Sequence, residues 1–340
     1  MKKIVVIGGG TGTFTVLSGL RQYPFELSAI VSTADDGGST GILRDELGVL
    51  PPGDIRQALV ALAADSTVLR DLLNYRFTDG TLKGHNFGNL LLSALEKVTG
   101  SFDKGVLEAS RILAVKGRVI PVTTDLTHLR AEMTNGKVIH GEHKIEEYVW
   151  SEASNVKRLW LEPACSLHPD AQQAIRQADL IVIAPGSVFT SLIPNLLVKG
   201  MSEALQKSRA KVVYVVNLMT EKGQTGSYFV QDFVDLIEEY MGGRRVDYVL
   251  YNTRLPDQQL LDRYKKEMER IPVRFDKTRK ARSMPYRMIG LNLLARQLSG
   301  QRNAADPLMG QRTLIRHNPA RLADVLYSLL FVKDAEKYLR

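Results

Sequence analysis

Short runs of apolar residues alternate along the chain with segments whose apolar positions recur every three to four residues. Continuous β-branched runs are typical of strands buried on both faces of a sheet. The runs that predict strands are Lys3–Ile7, Leu27–Thr33, Leu180–Ala184, Lys211–Asn217 and Val246–Tyr251. The segments that predict helices are Phe14–Gln22, Ile55–Ala64 and Leu90–Val98. This alternation predicts an α/β fold, with an open, mostly parallel sheet covered by helices on both faces.

Two segments depart from the alternation. Around Asn135-Gly136, a dipeptide that favours tight turns, two short extended runs predict a small antiparallel hairpin inserted on the sheet at about residues 118–147. Ser299–Arg312 is polar and contains Gly and Pro, which predicts a loop, followed by a strand at Thr313–Ile315 and a helix near Leu322–Phe331. We therefore expect one domain over residues 1–298, with a C-terminal segment, residues 299–340, that packs back on it.

Composition narrows the class of protein. The 340 residues are 44% apolar and 24% charged, as in a soluble globular protein. Cys165 is the one cysteine, which excludes an internal disulfide and disfavours a structural zinc site. The first residues reach glycine too soon for a secretory signal, and no apolar run approaches the roughly 20 residues of a membrane helix. We therefore expect a cytoplasmic protein without a membrane partner.

The net charge is +8, and much of the excess lies between Asp262 and Arg287, where there are ten Lys and Arg against four Asp and Glu. A positive segment suits a phosphate-bearing ligand or a nucleic acid, but most such segments are solvated surface. No nucleic-acid-reading motif accompanies it, so we expect no nucleic-acid partner.

The first predicted strand ends in Gly8-Gly9-Gly10-Thr11-Gly12-Thr13, directly before a helical segment. Glycine lets the backbone turn sharply, and free N–H groups at a helix N-terminus attract anions. The pattern is not G-x-G-x-x-G, because position 13 is threonine, and no Gly-Lys-Ser/Thr follows to make a Walker A loop. The turn is still predicted to bind phosphate; the alternative is a tight turn for close helix packing.

A second glycine cluster, Asp35-Asp36-Gly37-Gly38-Ser39, follows the second predicted strand. An acid here could accept a hydrogen bond from a ribose hydroxyl, as in NAD-binding folds, and two adjacent acids could hold Mg²⁺. The plain alternative is an Asp-Gly turn. Two such clusters on adjacent strand ends favour a ligand held by backbone at two places, with Arg44 within its reach.

Two further segments place polar groups before predicted helices. Asp54 precedes an apolar helix and is expected to cap it, while Arg56 in the first turn favours an anionic partner. His85, Asn86 and Asn89 form a dense polar turn, in which His85 could act as an acid, a base or a hydrogen-bond donor.

The later strands also end in polar turns. The candidate ligand-binding residues there are Gly186, Ser187, Thr190, Asn217, Thr220, Gly223, Thr225 and Asn252. Open α/β sheets bind ligands beyond the carboxyl ends of their strands. Because all these turns follow strands of one sheet, we expect them to line a single large cleft.

Four segments resemble one known family. They are IGGGTGTF, STADDGGSTGILRDELGVLPPGDIRQAL, GHNFGNLLL and APGSVFTSLIPNLLVKGMSEAL. These segments are similar to the YvcK-type gluconeogenesis-factor proteins, within the larger superfamily of 2-phospho-L-lactate transferase (CofD-like) proteins. The similarity runs from Lys3 to about Asn252 and continues weakly through Arg274–Leu294 and Thr313–Phe331.

The resemblance implies a Rossmann-like three-layer α/β/α fold and a cytoplasmic bacterial protein that binds a UDP-sugar such as UDP-N-acetylglucosamine. It further implies a regulator of carbon flux into cell-wall precursors and of cell shape under gluconeogenic growth. Its expected protein partner is an enzyme of cell-wall precursor synthesis, and we expect the chain to form a homo-oligomer.

The resemblance also assigns roles to residues at matching positions. Phosphates are assigned to Gly8–Thr13 and to Asp36, Gly37 and Gly38, and a second anion-binding turn to Gly186, Ser187 and Thr190. A buried polar turn near the ligand is assigned to His85, Asn86 and Asn89, and a loop usually written M-T-x-x-G-E-T to Thr220, Gly223 and Thr225. A C-terminal R-H-D segment that would close on the ligand is assigned to Arg316, His317 and Asn318.

The chain departs from the family pattern at Ala184, Gln224, Asn318 and Pro319, where glycine, an acid, aspartate and a polar residue are common. These changes concern the sugar contacts and the C-terminal segment, and they leave both glycine clusters intact. Two alternatives stay open. One is a CofD-like transferase that moves a nucleotide-activated lactyl or enolpyruvyl phosphate group, with Mg²⁺ on Asp36. The other is an NAD(P)-dependent oxidoreductase.

Overall fold

The predicted alternation of strands and helices is confirmed in the computed structural model, which describes residues 1–64, 67–151, 154–243, 245–281, 284–295, 315–332 and 334–335. The strands are β1 (Lys2–Gly8), β2 (Phe25–Val31), β3 (Arg118–Pro121), β4 (His128–Met133), β5 (Val138–His140), β6 (Val156–Glu162), β7 (Leu180–Ile183), β8 (Lys211–Val215), β9 (Tyr248–Asn252) and β10 (Arg287–Leu291). The helices are α1 (Gly10–Leu20), α2 (Gly38–Leu47), α3 (Gly53–Leu62), α4 (Thr67–Asn74), α5 (Phe87–Thr99), α6 (Phe102–Ile112), α7 (Glu142–Ser151), α8 (Pro169–Gln177), α9 (Ile193–Leu196), α10 (Met201–Lys207), α11 (Val230–Tyr240), α12 (Gln258–Met268) and α13 (Pro319–Phe331).

Seven strands form one sheet in the order β10-β9-β8-β7-β1-β2-β3, and each neighbouring pair is parallel. The interior strand β1 is buried on both faces, as its continuous apolar run predicted. Val5 and Ile7 join one buried cluster, and Ile4 and Val6 join a second cluster on the opposite face. A parallel sheet between two helical layers follows, which confirms the predicted three-layer α/β/α fold.

The strand order reverses at the centre of this sheet. The chain leaves β1 toward β2 and β3, whereas β7, β8, β9 and β10 extend to the other side. Connections that leave adjacent strands in opposite directions open a crevice at their carboxyl ends. The turn after β1 and the turn after β7 therefore border the same crevice.

The predicted hairpin is confirmed, but the antiparallel part of the molecule is larger than expected. β4 and β5 pair around Asn135-Gly136, and β6 pairs with the other edge of β4 to make a separate three-stranded sheet. Arg118–Pro121, which we expected in the insertion, is instead an edge strand of the parallel sheet. Local patterning did not predict α7 or the distant strand β6, because the β4–β6 pairing joins segments about 25 residues apart.

The C-terminal helix predicted near Leu322–Phe331 is confirmed as α13, which packs on α1. The contact is so close that a Cβ on Gly19 would lie 2.2 Å from the carbonyl oxygen of Pro319. Of the predicted strand before it, only Ile315 lies within the described residues, and the predicted loop lies outside them. No helix in the described ranges is long and apolar enough to cross a membrane.

Candidate functional site

Helix α1 begins directly on the first glycine turn, Gly8–Thr13. Gly10 has a φ of 62°, which glycine adopts without strain. A Cβ on Gly12 would lie 1.7 Å from the carbonyl oxygen of Pro185, so only glycine lets the two turns approach. Gly9 is the N-cap and offers no side-chain acceptor. The N–H groups at the start of α1 thus face the crevice in the arrangement that binds anions.

Asp54 occupies one of these N–H groups. We expected it to cap its own helix, but it lies in the first turn of α3 and its Oδ1 accepts from the N–H of Gly10 at 2.9 Å. Burial, together with the charge of the nearby Asp35 carboxyl, raises the pKa of Asp54 to about 7. A phosphate beside Asp54 therefore requires either its neutral form or a cation between them.

Asp35 is the second carboxyl on this side of the crevice. Its Oδ1 accepts from the N–H of Gly37 at 2.9 Å, and its Oδ2 lies 2.5 Å from where a Cβ on Gly53 would stand. Burial raises its pKa, while the Gly37 amide opposes that shift. Of the two adjacent acids, Asp35 is therefore the one that faces Asp54, whereas the sequence analysis selected Asp36.

Asp36 is turned toward the insertion instead. Its Oδ1 accepts from the backbone N–H of His143 at 2.8 Å, and its Oδ2 accepts from that of Glu142 at 3.1 Å. A carboxylate at this position satisfies the free amides at the start of α7 and interacts with the positive end of its dipole. Asp36 thus ties the insertion to the second glycine cluster.

Helix α7 contacts the edge of the crevice at two further points. The Oε1 of Glu146 accepts from the Oγ1 of Thr190 at 2.7 Å. Near the end of α7, a Cβ on Gly223 would lie 2.2 Å from the carbonyl oxygen of Val149. The helix therefore spans from the second glycine cluster to the turn after β7 and the loop after β8.

Helix α7 also brings carboxyl groups that the sequence analysis missed. Glu142 and Glu146 are four residues apart and so share one face of the helix. Burial, and next the Asp35 carboxyl, raises the pKa of Glu142 well above its usual range. One Glu142 oxygen, Oε2, is buried without a hydrogen-bond partner among the described residues. The signal that could have found them is the Glu-x-x-x-Glu spacing after the predicted hairpin.

The turn after β7 is built from side chains. Asn217 holds its backbone, because its Oδ1 accepts from the N–H of Gly186 at 3.1 Å and its Nδ2 donates to the Gly186 carbonyl at 2.7 Å. The hydroxyls of Ser187 and Thr190 lie 2.8 Å apart, and Ser187 Oγ is 3.2 Å from Gln224 Oε1. A five-residue π-helical turn, Val188–Leu192, follows. The predicted second anion-binding turn is therefore lined by hydroxyls already bonded to acceptors.

The threonines of the loop after β8 brace that loop. Thr225 Oγ1 accepts from the N–H of Glu221 at 2.9 Å, and Thr220 Oγ1 accepts from the N–H of Ile271 at 3.1 Å. Glu221, which the sequence analysis did not select, lies 3.6 Å from Arg270. Burial raises the pKa of Glu221, and the charge of Arg270 opposes that shift.

The polar turn before α5 forms a neighbouring wall. His85 Nδ1 lies 3.3 Å from Ser39 Oγ, and Asn86 caps α5 by accepting from the N–H of Asn89 at 3.2 Å. Asn89 Oδ1 accepts from the buried Arg56 Nε at 3.0 Å, and the charge of Arg56 opposes the upward pKa shift of the nearby Asp54 carboxyl. The anionic ligand expected at Arg56 stays a prediction. Asn86 and Asn89 therefore stabilise the scaffold, and His85 lies beside the second glycine cluster.

Arg44 lies close to the strand β4 of the insertion. Its side chain is 10% exposed, its Nε is 3.2 Å from Asp45 Oδ1, and its Nη1 has no hydrogen-bond partner in the described part of the chain. Burial lowers the pKa of His128 on β4, and the charges of Arg44 and Arg130 lower it further. Arg44 thus adds positive charge near the Asp36 end of α7.

The C-terminal candidates are split between surface and scaffold. Asn252 Oδ1 accepts from the N–H of Leu293 at 3.1 Å, so it braces the loop after β10. Arg316 is exposed, whereas His317 is buried and burial lowers its pKa to about 4. Asn318 caps α13 by accepting from the N–H of Arg321 at 3.1 Å. Asparagine and aspartate cap helices about equally well, which explains how this departure from the family is tolerated.

Within the basic segment between Asp262 and Arg287, Arg270 and Ile271 contact the loop after β8, whereas other charges of the segment form ion pairs at the surface. Arg263 pairs with Glu267 at 2.9 Å, and Arg279 pairs with Asp232 at 2.7 Å. Lys265 and Lys266 are exposed in the last turn of α12, where the helix dipole favours positive charge. These contacts favour the interpretation of this segment as solvated surface.

Fold and crevice together define an α/β protein with a ligand cleft at the switch point of a parallel sheet, the class in which nucleotides bind across the strand ends. Comparison with known proteins specifies the class. Residues 4–294 match the family described as 2-phospho-L-lactate transferase CofD. The chain belongs to this CofD family, as the resemblance of its glycine clusters indicated.

Within the family, the chain is similar to proteins described as gluconeogenesis factors. The gluconeogenesis factor of Bacillus subtilis is 39% identical over 330 residues, covering 96% of this chain and 98% of that protein. A relative from Clostridium acetobutylicum is 46% identical over 264 residues, which are 77% of this chain and 58% of that longer protein. A crystal structure from Bacillus halodurans superposes with a TM-score of 0.86 at 36% identity, covering 96% of this chain and 99% of that one.

Proposed function

We propose that this protein binds a nucleotide-activated sugar of the UDP-N-acetylglucosamine type in the crevice and acts as a regulator of carbon flux into cell-wall precursors and of cell shape. The observation that carries the proposal is that the crevice has two chemically different sides. Backbone amides of the first glycine turn, with the carboxyls of Asp54 and Asp35 beside them, line one side, and hydroxyls with amide and carboxyl acceptors line the other. A sugar nucleotide combines a diphosphate with a neutral polyhydroxyl group and so matches both sides. The proposal includes a cytoplasmic location and a homo-oligomer.

The diphosphate would lie at the start of α1. Its charge suits the helix N-terminus, where Gly9 contributes no competing side chain. Asp54 is the group that must adapt, because its carboxyl already accepts from the amide of Gly10. With a pKa of about 7, Asp54 can take up a proton when the phosphates arrive near neutral pH.

Regulation would act through α7. This helix is held by Asp36 at its start and by Thr190 in its middle, and both contacts lie at the crevice. A ligand that changes either contact shifts the position of α7 and of the three-stranded sheet attached to it. The predicted partner, an enzyme of cell-wall precursor synthesis, would recognise that changed surface.

One observation favours a second candidate, a Mg²⁺-dependent transferase of the CofD type. Asp35 and Asp54 are interacting, partly buried carboxyls next to the start of α1. Among the described residues no three His, Cys, Asp or Glu side chains group as metal ligands. Mg²⁺ is often held by one or two carboxylates together with substrate phosphates, so the pair fits a shared ion. Such an ion would stabilise a leaving phosphate, while Asp35 and Asp54 would hold it at the glycine turn.

The dehydrogenase alternative finds less support at the same place. It requires an acid after β2 that accepts from a ribose hydroxyl. Asp36 there already accepts from two amides of α7, and Asp35 faces Asp54.

Isothermal titration tests these candidates directly. Purified protein is titrated at pH 7 with UDP-N-acetylglucosamine, UDP-glucose, GDP and NAD, each with and without Mg²⁺. The regulator predicts micromolar binding of UDP-sugars without Mg²⁺. Binding of GDP alone, and only with Mg²⁺, would instead establish the transferase candidate. Binding of NAD alone would contradict both.

A further inference from the structure

We infer that the crevice contains a subsite for the hydroxyl groups of a sugar, formed by Glu146, Ser187, Thr190, Glu221 and Gln224. This set is called the acceptor recess below. The inference rests on the proposed function and deepens it, because it assigns residues of the chain to the sugar half of the ligand. It differs from the sequence analysis, which placed an anion at Ser187 and Thr190.

The first argument is a count of protons. Three contacts link the recess: Thr190 to Glu146 at 2.7 Å, Thr190 to Ser187 at 2.8 Å and Ser187 to Gln224 at 3.2 Å. With the amide oxygen of Gln224 facing Ser187, the two hydroxyls supply only two protons for these three contacts. The far ends are a carboxylate and an amide oxygen, both acceptors. The recess therefore needs donors, which sugar hydroxyls provide and a phosphate does not.

The second argument comes from buried oxygens without partners. Glu221 Oε2 is buried and has no hydrogen-bond partner among the described residues, although its side chain is 16% exposed overall. The hydroxyl of Tyr214 is likewise buried without a described partner. Burial, and then the charge of Glu221, raises the pKa of Tyr214 above its ordinary value. Buried oxygens of this kind are costly unless a ligand or water donates to them.

Charge excludes an anion from the same place. Burial raises the pKa of Glu221, and the charge of Glu146 adds to that shift, so the two carboxyls lie close enough to interact. Arg270, 3.6 Å from Glu221, is the one cation paired with either carboxyl in the described ranges. A phosphate here would face two carboxyl groups, whereas a neutral hydroxyl would donate to them.

The third argument is position. A Cβ on Gly186 would lie 3.8 Å from the carbonyl oxygen of Gly9, so the turn that opens the recess adjoins the first glycine turn. In a sugar nucleotide, the sugar is bonded directly to the terminal phosphate of the diphosphate. Phosphates at the start of α1 would therefore place the sugar in the acceptor recess.

The test compares two ligands that differ in the sugar bonded to the terminal phosphate, which UDP lacks. UDP-N-acetylglucosamine and UDP are titrated into the wild type, Glu146→Gln and Glu221→Gln. The control is Glu147→Gln, which changes an exposed carboxyl on the same helix. We expect each recess variant to bind UDP-N-acetylglucosamine about 5- to 20-fold more weakly, because glutamine replaces a charge-assisted hydrogen bond by a neutral one. Binding of UDP is expected to stay within about twofold of the wild type. The control is expected to match the wild type.

The outcomes separate this inference from the proposed function. Wild-type protein that binds UDP as tightly as UDP-N-acetylglucosamine, or variants that lose both ligands equally, would overturn the acceptor recess while leaving nucleotide binding in place. Wild-type protein that binds neither would overturn the proposed function itself. Thermal unfolding of each variant is measured in parallel. If Glu146→Gln fails to fold, Glu221→Gln and the wild-type ratio of the two affinities decide the result.

Discussion

The two sides of the crevice are built in different ways. The first glycine turn, Gly8–Thr13, uses backbone groups that are consecutive in the sequence. The acceptor recess uses side chains from α7, from the turn after β7 and from the loop after β8, up to about 80 residues apart. A backbone site depends on the conformation of one short segment, and the glycines that permit this conformation can be recognised in the sequence. A side-chain site depends on which distant segments meet, so its residues look ordinary until the fold is known.

The two sides also differ in how they tolerate change. At Gly12 in the first glycine turn, the Pro185 carbonyl leaves no room for a Cβ, and no rearrangement of a side chain relieves the contact. In the acceptor recess, hydroxyl and carboxyl groups can exchange one hydrogen-bond partner for another. We therefore expect substitutions at the glycine turn to destabilise the fold, and substitutions at the recess to alter ligand preference.

The largest effect is expected for Gly12→Ala. The added Cβ would lie 1.7 Å from the Pro185 carbonyl oxygen, so α1 and the turn after β7 must separate. We expect the free energy of unfolding to fall by more than roughly 3 kcal/mol. Urea unfolding measures this change. The control is Gly226→Ala, where the nearest atom would be 3.9 Å away. Equal stabilities of the two variants would show that the close approach does not exist.

A smaller effect is expected for Asp54→Asn, and it depends on pH. The pKa of Asp54 is raised from 3.8 to about 7 in the folded state, so the folded protein holds a proton that the unfolded chain releases. The stabilising contribution is complete below about pH 4 and is lost as the pH rises through 7. Asparagine removes this ionisation, while its Oδ1 still accepts from Gly10. We expect the variant to be more stable than the wild type by roughly 2 kcal/mol at pH 8 and little changed at pH 4.

Urea unfolding at pH 4, 6 and 8 measures this pH dependence. Asp103→Asn, a change at an exposed carboxyl in the first turn of α6, is the control and should follow the wild-type curve. Parallel curves for Asp54→Asn and the wild type would mean that Asp54 is ionised throughout, and the proton uptake proposed for phosphate binding would be wrong.

The smallest effect is expected for Asn217→Ala, which acts on the recess side alone. It removes the two hydrogen bonds that hold the Gly186 backbone. We expect a loss of roughly 1 to 2 kcal/mol of stability and weaker binding of UDP-N-acetylglucosamine with binding of UDP preserved. The exposed Asn155→Ala serves as the control. A loss of UDP binding as large as that of the sugar nucleotide would show that the two sides are not separable.

Much of the fold could be predicted from the sequence. The continuous apolar runs predicted five of the seven parallel strands, but not β10, and β3 was assigned to the insertion. Asn135-Gly136 predicted the hairpin between β4 and β5. The predicted helices began three or four residues late, at Phe14 and Leu90, because α1 and α5 begin within their polar or glycine-rich turns. The local pattern carries no information on β6, because that strand pairs with a segment far away in the chain.

The candidate site was less accessible to sequence reasoning. Asp35 and Asp36 are adjacent residues of the same type, so the sequence does not distinguish their roles. In the structure Asp35 faces Asp54, and Asp36 accepts from the start of α7. Arg56 in a first helical turn indicated an anion, but the sequence did not show that the side chain of Asn89 would accept from its Nε. Such partners are chosen by tertiary packing, which decides among side chains of similar local preference.

By themselves, the hydrophobic periodicities and the glycine positions of the sequence determined the α/β class, the turn at the start of α1 and the family resemblance. Those features depend on steric limits within a few consecutive residues. Tertiary structure alone decided the reversal of strand order between β1 and β7, the carboxyls that α7 brings to the crevice, and the acceptors that surround Ser187 and Thr190. Hydrogen bonds and charge interactions act over a few ångströms in space, whatever the separation along the chain, so these contacts exist only once the chain has folded.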